Sequence, residues 1–117
     1  MVLLAITVLA AACDQDPFGL AQRSVVGRVS LEALESDSYH LHVPESSEAP
    51  DGQLKGQVRQ LAWDSTTVLV ERDSDYVAVD VGSGWVRGPL ARAAAQREPL
   101  FARLAPASYV WHRLPRF

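Results

Sequence analysis

Short polar turns at close intervals constrain the fold of this chain more than any other feature of its sequence. They separate four runs of strand-forming residues: Lys55–Trp63, Thr66–Arg72, Tyr76–Val81 and Trp85–Arg87. The turns between these runs are Asp64-Ser65, Asp73-Ser74-Asp75 and Gly82-Ser83-Gly84. A parallel return needs a crossover of about a dozen residues or more, so strands this close in sequence are antiparallel neighbours. The spacing therefore predicts a β-meander.

An alternating pattern upstream of the meander predicts one more pair of strands. From Val25 to Leu34, apolar and polar residues alternate with a period of two, as in a half-buried strand. After a polar turn, Tyr39–Val43 repeats the alternation and places His40 and His42 on the face opposite the apolar residues. We expect these two segments to form a β-hairpin.

The last third of the chain favours short helices. Gly88-Pro89 is expected to end the sheet, and the alanine-rich stretch Leu90–Arg97 has a high helix propensity. A final short helix is expected to begin near Pro106, with Trp111 and Leu114 packing inward. The predicted fold class is α+β, mainly antiparallel β: a meander sheet of about six strands with short C-terminal helices.

The N-terminus carries a different kind of pattern. The apolar run from Val2 to Ala12 is too short for a bilayer-spanning helix, which needs about 20 residues, but it suits the apolar part of a secretory signal. The run Leu9-Ala10-Ala11-Ala12-Cys13 resembles the lipobox of bacterial lipoproteins. The resemblance implies cleavage between Ala12 and Cys13, lipidation of the Cys13 thiol and anchoring to a membrane of the bacterial cell envelope. We therefore expect a signal peptide over 1–12, a tether over 13–22 and a single β-rich domain over 23–117.

The residues after Cys13 carry a second resemblance. Cys13-Asp-Gln-Asp-Pro-Phe-Gly19 is similar to the mature start of small uncharacterised bacterial lipoproteins that begin Cys-x-x-Asp-Pro-Phe-Gly. Gly88-Pro89 and a Trp-x-x-Leu ending, here Trp111 to Leu114, also recur in that group. The resemblance implies an anchored envelope protein but no particular activity.

Composition argues against several functional classes. With 14 acidic and 11 basic residues the formal charge is −3, so the chain has no basic field for nucleic acid. Its single cysteine allows no intramolecular disulfide. His40 and His42 are too few for a zinc site, which normally takes three or four protein ligands, and Asp73-Ser74-Asp75 is too short for the six or more oxygens of calcium. No metal or cofactor is expected.

The sequence also lacks a recognisable catalytic constellation. Gly82-Ser83-Gly84 does not have the Gly-x-Ser-x-Gly spacing of a nucleophile elbow, and no acid, base and nucleophile converge. We therefore expect a non-enzymatic module that binds a protein partner in the envelope. The alternative is a small-ligand binder or an inhibitor, because Ser83-Gly84-Trp85 weakly resembles the Ser-Gly-x-x-Tyr loop of lipid-anchored lysozyme inhibitors.

Three aromatic residues of the meander form a candidate interaction surface: Trp63, Tyr76 and Trp85. Aromatic side chains on a sheet face commonly serve as interface hot spots. They also bury large areas, and a domain without a disulfide needs them in its core. The core is the favoured interpretation for all three, Trp85 included.

Overall fold

A computed structural model describes residues 21–34, 38–46 and 49–115. The expected signal peptide, its cleavage site between Ala12 and Cys13, and the lipidation site at Cys13 lie outside these residues. Within the described part of the chain, no helix is long and apolar enough to cross a membrane.

The strands form two antiparallel sheets, so the fold class predicted from the sequence is confirmed. The first sheet has the order β1-β2-β3, and the second has the order β7-β6-β5-β4-β8. The strands are β1 Ala21–Val26, β2 Val29–Ala33, β3 Tyr39–His42, β4 Gln60–Trp63, β5 Thr67–Glu71, β6 Tyr76–Asp80, β7 Val86–Leu90 and β8 Ala105–Pro106. The meander β4 to β7 is the part that the short turns predicted.

The first sheet differs from its prediction at the N-terminal end. The expected strand from Val25 to Leu34 is a hairpin, because the chain reverses at Gly27, where φ is 56°. This left-handed conformation costs a glycine little. The alternation hides the turn, since apolar residues flank it on both sides. β1 also begins at Ala21, so the last two residues of the expected tether lie in a strand.

The second difference lies between β3 and β4. Only Gln60–Trp63 of the expected strand Lys55–Trp63 pairs with β5. Two residues before Arg59 bond to the other sheet: the Leu54 and Val58 amides donate to the carbonyls of Leu41 and Tyr39, at 2.9 and 2.8 Å. The chain thus passes from one sheet to the other here, and for this reason the strands form two sheets.

The main core lies on one face of the meander. Strand register aligns Trp63, Val68, Val79 and Val86 in one row of that face. They pack with the buried residues of the first sheet, among them Val29, Leu31 and Leu41. A smaller apolar cluster covers the outer face of the meander, where Ala62, Leu69 and Ala78 meet Leu100 from the C-terminal segment.

The C-terminal segment forms short helices, as expected, with different bounds. Helix α1 covers only Arg92–Ala95, a 3-10 helix covers Phe101–Arg103, and helix α2 covers Ala107–Arg113. Gly88-Pro89 does not end the sheet, because both residues belong to the edge strand β7, where proline is tolerated. Trp111 and Leu114 are buried in the main core, as predicted.

Candidate binding surface around Trp85

The structure does not bring the three meander aromatics together on one surface. Tyr76 is buried on the outer face, with its ring centroid 6.0 Å from that of Phe101. Trp63 is half-buried and packs against the main core. Trp85 is 66% exposed, so the core interpretation is wrong for this residue. The reason is the register: Val86 takes the inward position of β7, and its neighbour Trp85 points away from the core.

The turn before Trp85 is held by hydrogen bonds from both backbone and side chains. The Asp80 carboxylate accepts the Ser83 N–H at 2.9 Å and the Ser83 hydroxyl at 2.8 Å. The Ser83 Oγ in turn accepts the Trp85 N–H at 3.1 Å, and the Gly84 N–H donates to the Asp80 carbonyl at 2.8 Å. The hydrogen bond from the Ser83 backbone N–H lowers the pKa of Asp80 most, and the bond from the Ser83 hydroxyl lowers it further. This carboxylate therefore stays ionised at neutral pH. The backbone that carries the indole is therefore preorganised.

A second charged group lies beside the indole. Arg87 on β7 forms a two-point ion pair with Glu98, with nitrogen–oxygen distances of 2.9 and 3.1 Å. The hydrogen bond from Arg87 lowers the pKa of Glu98. Since the Arg87 side chain remains 58% exposed, its free edge is accessible to a partner. This pair spans the sheet edge and the C-terminal segment, and no sequence pattern indicated it.

These groups surround an open groove of about 720 Å³ on the outer face of the meander. We call it the Trp85 groove, and it is lined by Thr67, Ala78, Val79, Asp80, Ser83, Trp85, Val86, Arg87 and Gly88. Its volume lies in the range of ~300–1,000 Å³ that is typical of ligand sites. The groove offers an indole face for stacking, the Asp80 carboxylate as an acceptor and the Arg87 guanidinium as a donor. These groups suit recognition of a partner with mixed polar and apolar chemistry.

No family model, no curated protein and no solved structure matches this chain.

Three other residues of the sequence motifs, His42, Asp73 and Asp75, have side-chain partners. His42 Nε2 lies 3.0 Å from a carboxylate oxygen of Glu32, which is buried on the outer face of the first sheet. Among the residues that the structure describes, no group of three histidine, cysteine or acidic side chains is placed to hold a metal. Asp73 lies in an ion pair with Arg59 at 3.6 Å, and Asp75 binds Arg72 at 2.7 Å. The Asp73-Ser74-Asp75 segment is thus a hairpin turn with paired carboxylates.

Proposed function

We propose that this protein is a lipid-anchored component of the bacterial cell envelope whose folded domain is a non-enzymatic binding module. The observation that carries the proposal is Trp85, a large aromatic that stays exposed on a braced turn beside a mixed-polarity groove. Burial of an exposed indole by a partner yields a large gain in apolar contact, and tryptophan is enriched at interface hot spots. Because hydrogen bonds already hold the turn, little conformational entropy is lost when a partner binds.

The anchor sets where such a partner must be. Lipidation at Cys13 is supported by the apolar run and the small residues that precede it. Residues 13–20 span at most about 29 Å when fully extended, so β1 begins within that distance of the membrane surface. A partner protein for the Trp85 groove would therefore be a membrane protein or a protein close to the membrane.

The expected result for Trp85→Ala is loss of binding without loss of stability. The exposed indole contributes little to the fold, so the melting temperature should change by less than about 2 °C. A photoreactive group at exposed Ser74, on a different turn, would report crosslinks that are unrelated to the groove. A photoreactive group at Thr67, which lines the Trp85 groove, should form crosslinks to the partner, and these crosslinks should disappear in Trp85→Ala.

Trp63→Ala is the matched control for this experiment. Its side chain is half-buried against the main core, so the melting temperature should fall while the crosslinks from Thr67 persist below that temperature. Equal crosslinking in the wild-type and Trp85→Ala proteins would rule out Trp85 as a contact residue.

Cys13→Ser tests the anchor separately. Without the thiol no diacylglycerol can be attached, and membrane association through the acyl chains should be lost. Fractionation of cells, with mass spectrometry of the N-terminal peptide, measures both effects. A native protein that retains residues 1–12 and an unmodified Cys13 thiol would refute the anchor while leaving the Trp85 groove untested by that result.

The lysozyme-inhibitor alternative rests on the sequence resemblance at Ser83-Gly84-Trp85. In the structure, the Ser83 hydroxyl donates to Asp80 and accepts from the Trp85 amide, so it is already engaged within its own turn. Reaching into a foreign active site would break both bonds. An assay of lysozyme activity in the presence of the protein would detect inhibition directly.

A further inference from the structure

A second groove lies away from Trp85, where the edge strand β8 is too short to cover the end of β4. β8 pairs only with Gln60 and Leu61, so Ala62 and Trp63 extend beyond it. The last turn of α2 and the residue that follows the helix lie across this gap and bring Val110 and Leu114 to it. The resulting groove has a volume of about 330 Å³, and we call it the α2 groove.

The floor and the rim of the α2 groove differ in chemistry. The floor is mainly apolar and is lined by Leu61, Ala62, Trp63, Ala105, Val110 and Leu114. Ala62 contributes from the strand edge, because its side chain belongs to the cluster on the outer face. Its polar rim consists of Arg103, Tyr109 and Arg113, all three of them exposed. No acidic side chain lines the groove, although the chain as a whole carries a net charge of −3. An occupant with an apolar body and an anionic end is complementary to this arrangement.

The two arginines are available for an anion. Arg113 stacks on Tyr109 with its guanidinium carbon 4.0 Å from the ring centroid, which holds the charge at the rim and leaves its N–H groups free to donate. Hydrogen bonds from Thr66 and Thr67 are the main cause of the lowered pKa of Asp64, and the charge of Arg103 makes a smaller contribution. Arg103 thus lies in the field of the Asp64 carboxylate without forming an ion pair with it. Within residues 21–34, 38–46 and 49–115, neither Arg103 nor Arg113 forms a salt bridge.

The volume of the groove limits the size of the apolar part. An apolar cavity of ~150 Å³ holds one benzene molecule, so roughly twice that volume holds a single chain of about twelve carbons. A ligand with two acyl chains would leave most of its second chain outside the groove. Arginine is also the side chain best suited to a carboxylate, since its planar fork donates two parallel hydrogen bonds.

We propose that the α2 groove binds a fatty-acid anion, with its single chain on the apolar floor and its carboxylate at Arg103 and Arg113. This site is independent of the Trp85 groove. The chemistry requires one chain and one carboxylate, which distinguishes the ligand from a two-chain phospholipid and from the bilayer surface.

The test uses the full lipidated chain in nanodiscs of zwitterionic phosphatidylcholine. The probe is dodecanoate with a photoreactive diazirine near its terminal carbon, and labelled residues are located by mass spectrometry. Labels are expected at Leu61–Trp63 and around Val110 and Leu114, and excess unlabelled dodecanoate should displace them. Dodecylamine, which has the same chain and the opposite charge, should not displace them.

Variants connect the labelling to the rim. Replacing both arginines (Arg103→Gln with Arg113→Gln) should lower the groove labelling at least about tenfold, because two charge-assisted hydrogen bonds are lost. Arg97→Gln removes an exposed charge that does not line the groove and should leave labelling unchanged. All three arginines are exposed, so the variants should melt at nearly the same temperature as the wild-type protein. Their melting temperatures therefore check that the fold is intact.

Four results would overturn the proposal. Labelling that is insensitive to the double substitution, or that is displaced equally by the amine, would show that the carboxylate does not contribute to binding. Labelling of the same residues by a diazirine phosphatidylglycerol, but not by free dodecanoate, would identify the groove as a bilayer contact. The segment 14–20 combines the apolar Phe18 with two acidic residues and is therefore a competing occupant; labelling that appears only in Phe18→Ser would show that this segment fills the groove.

Discussion

Gly84→Ala should lower the free energy of unfolding by about 3 kcal/mol or more. The glycine has φ of 76°, a left-handed conformation that costs about 1–2 kcal/mol for a residue with a side chain. A Cβ atom at this position would also overlap the carbonyl oxygen of Pro44 and lie 2.9 Å from the Pro44 Cβ. Because the closest obstacle is backbone, relief requires the turn and the Pro44 loop to separate, and overpacking of this kind costs a further ~1–3 kcal/mol. Denaturation by urea measures the loss.

Gly82→Ala is the matched control in the same Gly-Ser-Gly turn. Gly82 does not need a left-handed conformation, and the nearest atom to its added Cβ is an Asp80 carboxylate oxygen at an ordinary 3.6 Å. Its free energy of unfolding should therefore change by no more than about 0.5 kcal/mol. Equal effects of the two substitutions would mean that the turn does not rest on the Pro44 loop.

The meander was predictable because its information is local. Turns of two or three residues leave adjacent strands only one arrangement, and β4 to β7 follow it. The division into two sheets was not predictable, because it depends on contacts between residues that are distant in the sequence. The amides of Leu54 and Val58 bond to β3, while Ala107 donates to the Arg59 carbonyl from the far end of the chain. Nothing in residues 54–59 alone indicates this change of partner.

The sequence contained an indication that Trp85 is exposed, although the need for buried aromatic residues favoured the opposite prediction. Alternation places Trp85 on the same side of its strand as Arg87, opposite Val86. The valine is buried at the inner face, and both of its neighbours line the Trp85 groove. The need of a small domain for buried aromatics gave the opposite expectation, but Tyr76 and Trp111 meet that need here.

The other features of the two grooves could not be predicted from the sequence. The ion pair of Arg87 and Glu98 joins residues on separate elements, and its geometry depends on how the C-terminal segment crosses the sheet. The α2 groove exists because β8 is only two residues long, whereas the sequence showed no strand there at all. Sequence patterns predict elements well, while grooves depend on where those elements end.

Helix α2 closes one side of the main core, and Trp111 is the residue that attaches it. The helix has seven residues, fewer than the ~12–15 that an isolated helix needs for marginal stability. Tertiary contacts must therefore hold it. The Trp111 ring lies 5.9 Å from that of Tyr39, the Arg23 guanidinium stacks 4.3 Å from it, and Arg23 also donates to the Trp111 carbonyl.

Trp111→Ala should accordingly cost about 3–5 kcal/mol of unfolding free energy, as is usual when a buried tryptophan is removed. The loss should also release α2, so the helical part of the circular dichroism spectrum should fall together with the stability. His112→Ala is the control from the same helix: its side chain is exposed, and alanine favours the helix, so stability should be nearly unchanged. If Trp111→Ala instead has the same melting temperature as the wild-type protein, α2 is not an integral part of the fold. The α2 groove would then lack one of its walls.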